Sequence, residues 1–494
     1  MSTVVPLPPE LLQFLGRPLP QSLLIRGPPG AGKTTLSLAM LEAFAGQRLY
    51  VSARVSEEEL RIQFPWLLGS SSAVRVLDER AGPETVRDAH RIQQRARDLL
   101  QEPERTSLDA LWLPGPLQEA WSQARPERPT MVVIDSWDAL VESYLGVPIA
   151  DPELPDRPAL ERLLLRQMAR GPVMTVLVLE RSEPNQLDYL VNGVLSLQTG
   201  QMDERMERWL SLQKLRGVRI STSAYPFTLE GGRFNCISPV AAGFPGTLPA
   251  PDPEPDRQPE QLWPGSADFA AEFGRLSHHG ITLLRTFPGV PDEAVRMILA
   301  PLISHVMDLG GRVLFCPPPG LAPHQLWTLC RSRYSEEQVL RQVRVVAVAG
   351  EPEGEPEEVR KILIAPAKGP VDPHHVRAPD AIRFFEEGLA RANPNLLIGW
   401  ISGVQSLGVY TGAPYSPSTL PALLRAYTRM PHTHVFFVGE IDDPLTDSLR
   451  PLSRIRLRMQ YTNGRVFLYG VSPLTPLQVL SVGSSGPYQL MRVV

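Results

Sequence analysis

SLLIRGPPGAGKTTLSLAMLEAFA, residues 22–45, decides the fold of this chain. An apolar strand-like run from Ser22 to Arg26 stops at Gly27, and a helical pattern starts at Lys33. Between them lies GxxxxGK[ST], the spacing of a phosphate-binding loop in its proper setting between strand and helix. The residue types follow from the chemistry. Gly27, Gly30, Ala31 and Gly32 are small enough for the backbone to wrap an anion, so that successive N–H groups and the helix start point at negative charge. Lys33 offers a compact charge to the β- and γ-phosphates, Thr34 a hydroxyl suited to Mg2+, and Thr35 completes the binding set in the first helical turn. A planar arginine would not fit the lysine's slot. ATP with Mg2+ is the expected ligand.

A second run, Met131-Val132-Val133-Ile134-Asp135, ends in a carboxylate. Following a phosphate loop by roughly 100 residues, such an Asp orients Mg2+ through its water shell. Asp135 is therefore the expected catalytic and metal-orienting residue, together with Thr34. Asp138 reads as a helix-start or surface residue. Only four of the 49 basic residues are lysines (Lys33, Lys214, Lys361, Lys368), which gives weight to a lysine that falls on a motif.

Composition sets the limits. With 494 residues, 43% hydrophobic and 21% charged, the chain is long enough for two or three cored domains, and disorder throughout is excluded. A net charge of −4 supplies no global basic field for nucleic acid or an anionic membrane. Cys236, Cys316 and Cys330 form no CxxC pair or disulfide framework, the opening MSTVVPLPPELLQFLG lacks a basic start, and no run approaches a membrane span. These features lead to the expectation of a soluble cytoplasmic protein with no membrane partner.

Residues 1–236 alternate apolar runs, SLLIRG, RLYVSA (48–53), TMVVID (130–135) and VMTVLVLE (173–180), with helical patterns. Continuous apolar runs suit parallel strands covered on both faces, hence an α/β fold. Residues 237–264 are proline-rich, with a PxPxP run that reads as a stiff spacer. Residues 265–494 repeat the first region's order. GITLLRTFPGVPDEA (280–294) parallels the loop segment, GGRVLFC (310–316) parallels GQRLYVS, NPNLLIGWISG (393–403) parallels the Asp135 run, and THVFFVGE (433–440) parallels VMTVLVLE. The expectation is two three-layer αβα domains with mainly parallel sheets, the second a degenerate copy. Asp292 and Glu293 replace Lys33 and Thr34, and Ser402 stands opposite Asp135, so the copy should bind no ATP in this mode. Arg87, Arg91 and Arg95 recur along one helix face, and Arg454, Arg456 and Arg458 along one strand face. Solvated faces or contacts to acidic partners both fit these stripes. His278-His279 and His374-His375 diverge as neighbours and suggest no metal site.

The stretch from Tyr50 to Leu60, IDSWDAL (134–140), Leu179-Glu180-Arg181, and LQKLRG (212–217) followed by YPFTLEGGRFNCISP (225–239) resemble the RecA-superfamily ATPases of the KaiC type. SARVSEEEL (52–60) and QFPWL (63–67) look most like the branch containing the gas-vesicle regulatory protein GvpD. The resemblance implies RecA-like domains and assigns Lys214 and Arg216 a catalytic role in trans, reaching a neighbouring subunit's nucleotide in a homo-oligomer. One departure stands out. The paired catalytic glutamates of that family, after the second strand, are replaced by Arg54 and Val55, with Glu57, Glu58 and Glu59 displaced into the next helix. In the second region the counterparts of Lys214 and Arg216 are apolar or proline. The leading expectation is an ATP-binding regulator whose nucleotide state controls a regulatory protein partner, with weak or no hydrolysis. A DNA-dependent ATPase acting on single strands is the alternative, and a KaiC-like autokinase ranks behind both.

Overall fold

The structure, a computed structural model, describes residues 4–68, 74–78, 121, 124, 127, 129–145, 157–169, 171–237, 246–258, 260–317, 322–346, 355–364, 398–403, 433–481 and 488–494. The chain divides into two compact units, one of Val4–Ser238 with Val493–Val494, the other of Pro239–Arg492.

The first unit is built on one sheet of ten strands: β1 (Val4–Val5), β2 (Gln21–Arg26), β3 (Gln47–Ser52), β4 (Val74–Asp78), β5 (Thr130–Asp135), β6 (Val173–Val178), β7 (Gly193–Met202), β8 (Arg205–Leu215), β9 (Ala224–Thr228) and β10 (Asn235–Ile237). Their order is β1-β10-β9-β8-β7-β2-β6-β5-β3-β4. From β7 to β4 the strands are parallel, and the rest form an antiparallel extension. The apolar runs explain the parallel part, because a strand buried on both faces needs no polar alternation. Leu23, Ile25, Val133 and Val176 face one core with Leu36 and Met40 of the helix Lys33–Ala43. Leu24, Val132, Ile134 and Leu177 face the other, with Trp137, Leu140 and Leu164 from the helices Trp137–Leu145 and Arg157–Met168.

Register places the functional edge. Ile25, Val178, Asp135 and Ser52 stand level across β2, β6, β5 and β3. All four strands run the same way, so Gly27, Glu180, Trp137 and Arg54 emerge together two residues further on. The β6 end lies between the phosphate loop and Asp135.

In the second unit β11 (Gln261–Leu262) pairs with β12 (Leu276–Ser277). The main sheet contains β13 (Ile281–Thr286), β14 (Arg312–Cys316), β15 (Val343–Val346), β16 (Leu363–Ile364), β17 (Ile398–Gly403), β18 (Thr433–Glu440), β19 (Ile455–Thr462), β20 (Arg465–Ser472), β21 (Gln478–Ser481) and β22 (Gln489–Arg492), in the order β16-β15-β14-β17-β18-β13-β19-β20-β21-β22. From β15 to β22 this matches β4 to β10 of the first unit in order and direction, strand for strand. Two finer features recur with Arg26 laid on Arg285. The β7–β8 register slips between Val194 and Leu195, and β19–β20 slips at the corresponding Arg456 and Leu457. Arg26 pairs with Asp188 at 2.7 Å, and Arg285 with Asp447 at 2.9 Å, both arginines buried.

The proline-rich run does not stand as a free spacer where it is described. Leu248 enters the second unit's core and its N–H donates to Ser332 Oγ at 2.9 Å. The Pro249 carbonyl accepts from Ser304 Oγ at 2.7 Å, the Asp252 carboxylate from Ala267 N–H at 2.8 Å, and the Asp252 carbonyl from Trp263 Nε1 at 3.0 Å. The prolines that deny this segment a ladder leave its carbonyls free to accept side-chain donors. Among the described residues, no helix is long and apolar enough to cross a membrane.

Candidate functional site

The loop after β2 closes into a cradle. A Cβ on Gly27 would stand 2.6 Å from the Leu197 carbonyl of β7, so only glycine passes. Gly32 takes a φ of +94°, in the left-handed region, and the helix Lys33–Ala43 begins after it with no side chain capping its N–H groups. Those donors and the helix dipole are turned toward whatever anion the loop holds. Leu229, from the YPFTLEGG segment, closes over Gly32 at 3.0 Å from the position of a Cβ. The same segment meets QFPWL: Trp66 Nε1 donates to the Gly232 carbonyl at 3.2 Å, and Arg233 stacks on the Trp66 ring.

Lys33 Nζ donates to the loop's own carbonyls, Gly27 at 2.7 Å and Pro28 at 3.0 Å. Burial pulls its pKa below the ordinary lysine value, against the opposing pull of the carboxylates of Asp135, Glu180 and Asp138. The next residue meets the second motif. Thr34 Oγ1 donates to Asp135 Oδ2 at 2.7 Å, and Tyr50 OH donates to the same oxygen at 2.6 Å. Burial raises the Tyr50 pKa well above the usual tyrosine value, with the Asp135 charge adding to it, so the phenol keeps its proton and remains a donor. A hydroxyl and a carboxylate brought together beside a phosphate cradle form a hard-oxygen set that fits Mg2+, whose remaining ligands are water and phosphate oxygens. Among the described residues no group of three or more His, Cys, Asp or Glu could hold a metal without such help.

Three site residues carried no assigned role in the sequence reading. Tyr50 is one, a polar tip in the apolar run RLYVS. Arg208, on β8, donates from Nη1 to the Gly30 carbonyl at 3.1 Å, bringing a guanidinium to the phosphate loop of its own chain. Glu180 is the third. Its Oε1 accepts from Ser136 Oγ at 2.8 Å and its Oε2 pairs with Arg54 Nη2 at 2.8 Å. Its signal in the sequence was the one that marked Asp135, a carboxylate closing an apolar run.

Other expected positions are resolved differently. Asp138 does start a helix, but it is buried at 4% exposure rather than on the surface, pairing with Arg157 and accepting the Glu180 N–H at 2.9 Å. Glu59 is consumed in a capping box with Ser56, and Glu57 pairs with Arg61. Neither carboxylate reaches the phosphate loop by these contacts. Lys214 and Arg216 do not join the site of their own chain. Lys214 is in register with Val194, below the loop end of the sheet, and its Nζ donates to the carbonyls of Asp188 at 2.9 Å and Val191 at 2.7 Å; Arg216 is exposed. Arg456 and Arg458 are half-buried on β19, alternating with buried Ile455, Leu457 and Met459, so they are not a freely solvated stripe. Arg87, Arg91, Arg95 and His374-His375 lie outside the described residues.

In the second unit Asp292 and Glu293 open the helix Asp292–Asp308, where burial, with Glu293 adding to it, raises the Asp292 pKa. Ser402 and Gly403 close β17 without a carboxylate. Ser472 faces Arg456 as Lys214 faces Val194, so that counterpart is a serine rather than an apolar residue or proline.

A strand ending in a glycine cradle, a helix opening on Lys33-Thr34, and a carboxylate from β5 held to Thr34 define a P-loop domain of the α/β class. More narrowly, residues 11–213 match the family described as the GvpD gas vesicle protein, P-loop domain. The chain is 33% identical to protein GvpD1 of Halobacterium salinarum over 248 residues, covering 48% of this chain and 42% of that protein. It is 27% identical to protein GvpD2 of the same organism over 340 residues, covering 65% of this chain and 63% of that protein. The chain thus spans less than two thirds of either relative. The match to GvpD2 takes in more of this chain than the first unit alone provides.

Proposed function

We propose that this protein is a cytoplasmic ATP-binding regulator of gas-vesicle production, in which the nucleotide state of the first unit controls contact with a regulatory protein partner. The carrying observation is the Thr34–Asp135 hydrogen bond at the mouth of a complete phosphate loop, which joins the two halves of a Mg·ATP site. Segments that touch the γ-phosphate order and release with it, and this is the means by which such a site can switch a surface. Turnover is expected to be slow, because Arg54 stands where the KaiC-type glutamates would be.

We infer that the first unit is RecA-like and that the second is its degenerate copy. The shared strand order, the repeated β-bulge and the paired Arg–Asp bridges support the duplication. Acidic residues at 292–293 leave the copy without a phosphate site, so its use is packing or partner contact. A trans role for Lys214 and Arg216 remains a proposal that requires a homo-oligomer. The test is a calorimetric titration with Mg·ATP, in which wild type binds and Lys33→Ala does not; equal binding by both sinks the reading. A pull-down of the native protein in ATP and in ADP should recover different partners. Salt-dependent retention on single-stranded DNA would favour a DNA-dependent ATPase instead.

A further inference from the structure

The residues after β6 and β3 point to a second use of the phosphate-loop site. Glu180 and Arg54 leave the sheet at the level of Gly27, and the β6 end separates the loop from Asp135. A nucleotide cradled by the loop would present its γ-phosphate toward this edge, with Lys33 on one side and the Thr34–Asp135 pair on the other. Asp135 Oδ2 is already taken by two hydroxyls. Among the described residues, the other carboxylate on this edge is that of Glu180, with one oxygen on a serine hydroxyl and the other on an exposed guanidinium. Its charge reaches Lys33, second only to that of Asp135. Its main chain is anchored, since its N–H donates to buried Asp138.

We propose that Glu180 is the carboxylate that orients and deprotonates the attacking water, and that Arg54 is a positioning residue that restrains it in the ion pair. This deepens the ATP-binding reading and rests on it. In the reaction the water oxygen forms a bond to the γ-phosphorus while the bond to the β,γ-bridging oxygen breaks. The water's proton passes to Glu180 and leaves with phosphate, giving ADP and inorganic phosphate. With both of its oxygens engaged, by Ser136 and Arg54, the carboxylate is a poor base, which accounts for slow turnover without loss of the group. Arg54 is exposed at 58% and Glu180 half-buried at 34%, so water screens the pair and opening it costs little. A site that had exchanged its usual glutamate for arginine would thus keep a carboxylate two strands nearer the loop.

The experiment uses the full chain with Mg·ATP. Binding is measured first by calorimetry on wild type and every variant, so failure of the ATP reading appears as absent binding in wild type and is distinct from any change in turnover. Glu180→Gln should bind ATP within about threefold of wild type and lose about 100-fold or more in kcat, as removal of a general base does. Arg54→Ala should raise kcat several-fold with KM unchanged, and Arg54→Lys, which keeps the charge without the fork, should fall between it and wild type. The double variant should be as slow as Glu180→Gln. Wild-type turnover in Glu180→Gln, no gain in Arg54→Ala, or a gain that survives in the double variant would each overturn the proposal.

Discussion

Tyr50 shows how much a single oxygen contributes at this site. Its hydroxyl and that of Thr34 share one oxygen of Asp135, and the ring is buried. Tyr50→Phe removes a hydrogen bond to a charged acceptor, worth about 1.5–3 kcal/mol. A loss of that order in urea denaturation, with the slope unchanged, together with weaker Mg2+ dependence of ATP binding, is the expected outcome. Gly32 is constrained twice, by a left-handed backbone and by Leu229 above it. Gly32→Ala should cost about 1–2 kcal/mol for the conformation alone and abolish nucleotide binding in the same titration.

At the scale of elements, the bridge between β2 and the helix Leu187–Leu190 carries the strain of burial. Arg26 is 4% exposed and Asp188 18%; Arg26 also donates to Gln213, while the Asp188 carbonyl accepts from Lys214. Truncating one partner of a buried pair leaves a charge without compensation, at about 3–5 kcal/mol. Asp188→Ala should show a loss in that range by chemical denaturation. The corresponding Asp447→Ala should lose less, because Asp447 is 53% exposed and water already screens its pair with Arg285. Two equal losses would argue against screening as the difference.

For the whole molecule, two units with separate cores should melt in two calorimetric transitions. Mg·ATP at 100 times its dissociation constant should stabilise only the first, by about 2.7 kcal/mol. Acid should act on the second. His434, fully buried in β18, has Nδ1 on the Ser277 carbonyl at 2.8 Å and Nε2 on Thr282 Oγ1 at 3.0 Å, and burial pushes its pKa down to about 4. The unfolded chain takes up that proton near the ordinary value of about 6.5 while the folded unit refuses it until about pH 4, so stability is full above 6.5 and falls as pH drops toward 4. Between pH 7 and pH 5 the second transition should lose about 2 kcal/mol on this account. His434→Gln should flatten that slope; an unchanged slope would assign it to other groups.

The sequence by itself determined the phosphate loop, the Asp135 strand and the α/β class, because each is a local pattern: glycine spacing, a lysine at a helix start, apolar runs without alternation. It also displayed four segments in the same order twice. Tertiary structure decided which side chains share the site. Arg208 reaches the loop from β8, Tyr50 reaches Asp135 from β3, and Glu180 joins the same edge from the end of β6, strands brought together by sheet order rather than by chain distance. The same order kept Lys214 on β8, with its Nζ on the carbonyls of Asp188 and Val191, and buried Asp138. Sheet register also aligned the two units' bulges and bridges, which no spacing along the chain could express, since pairing between strands depends on hydrogen bonds across the sheet.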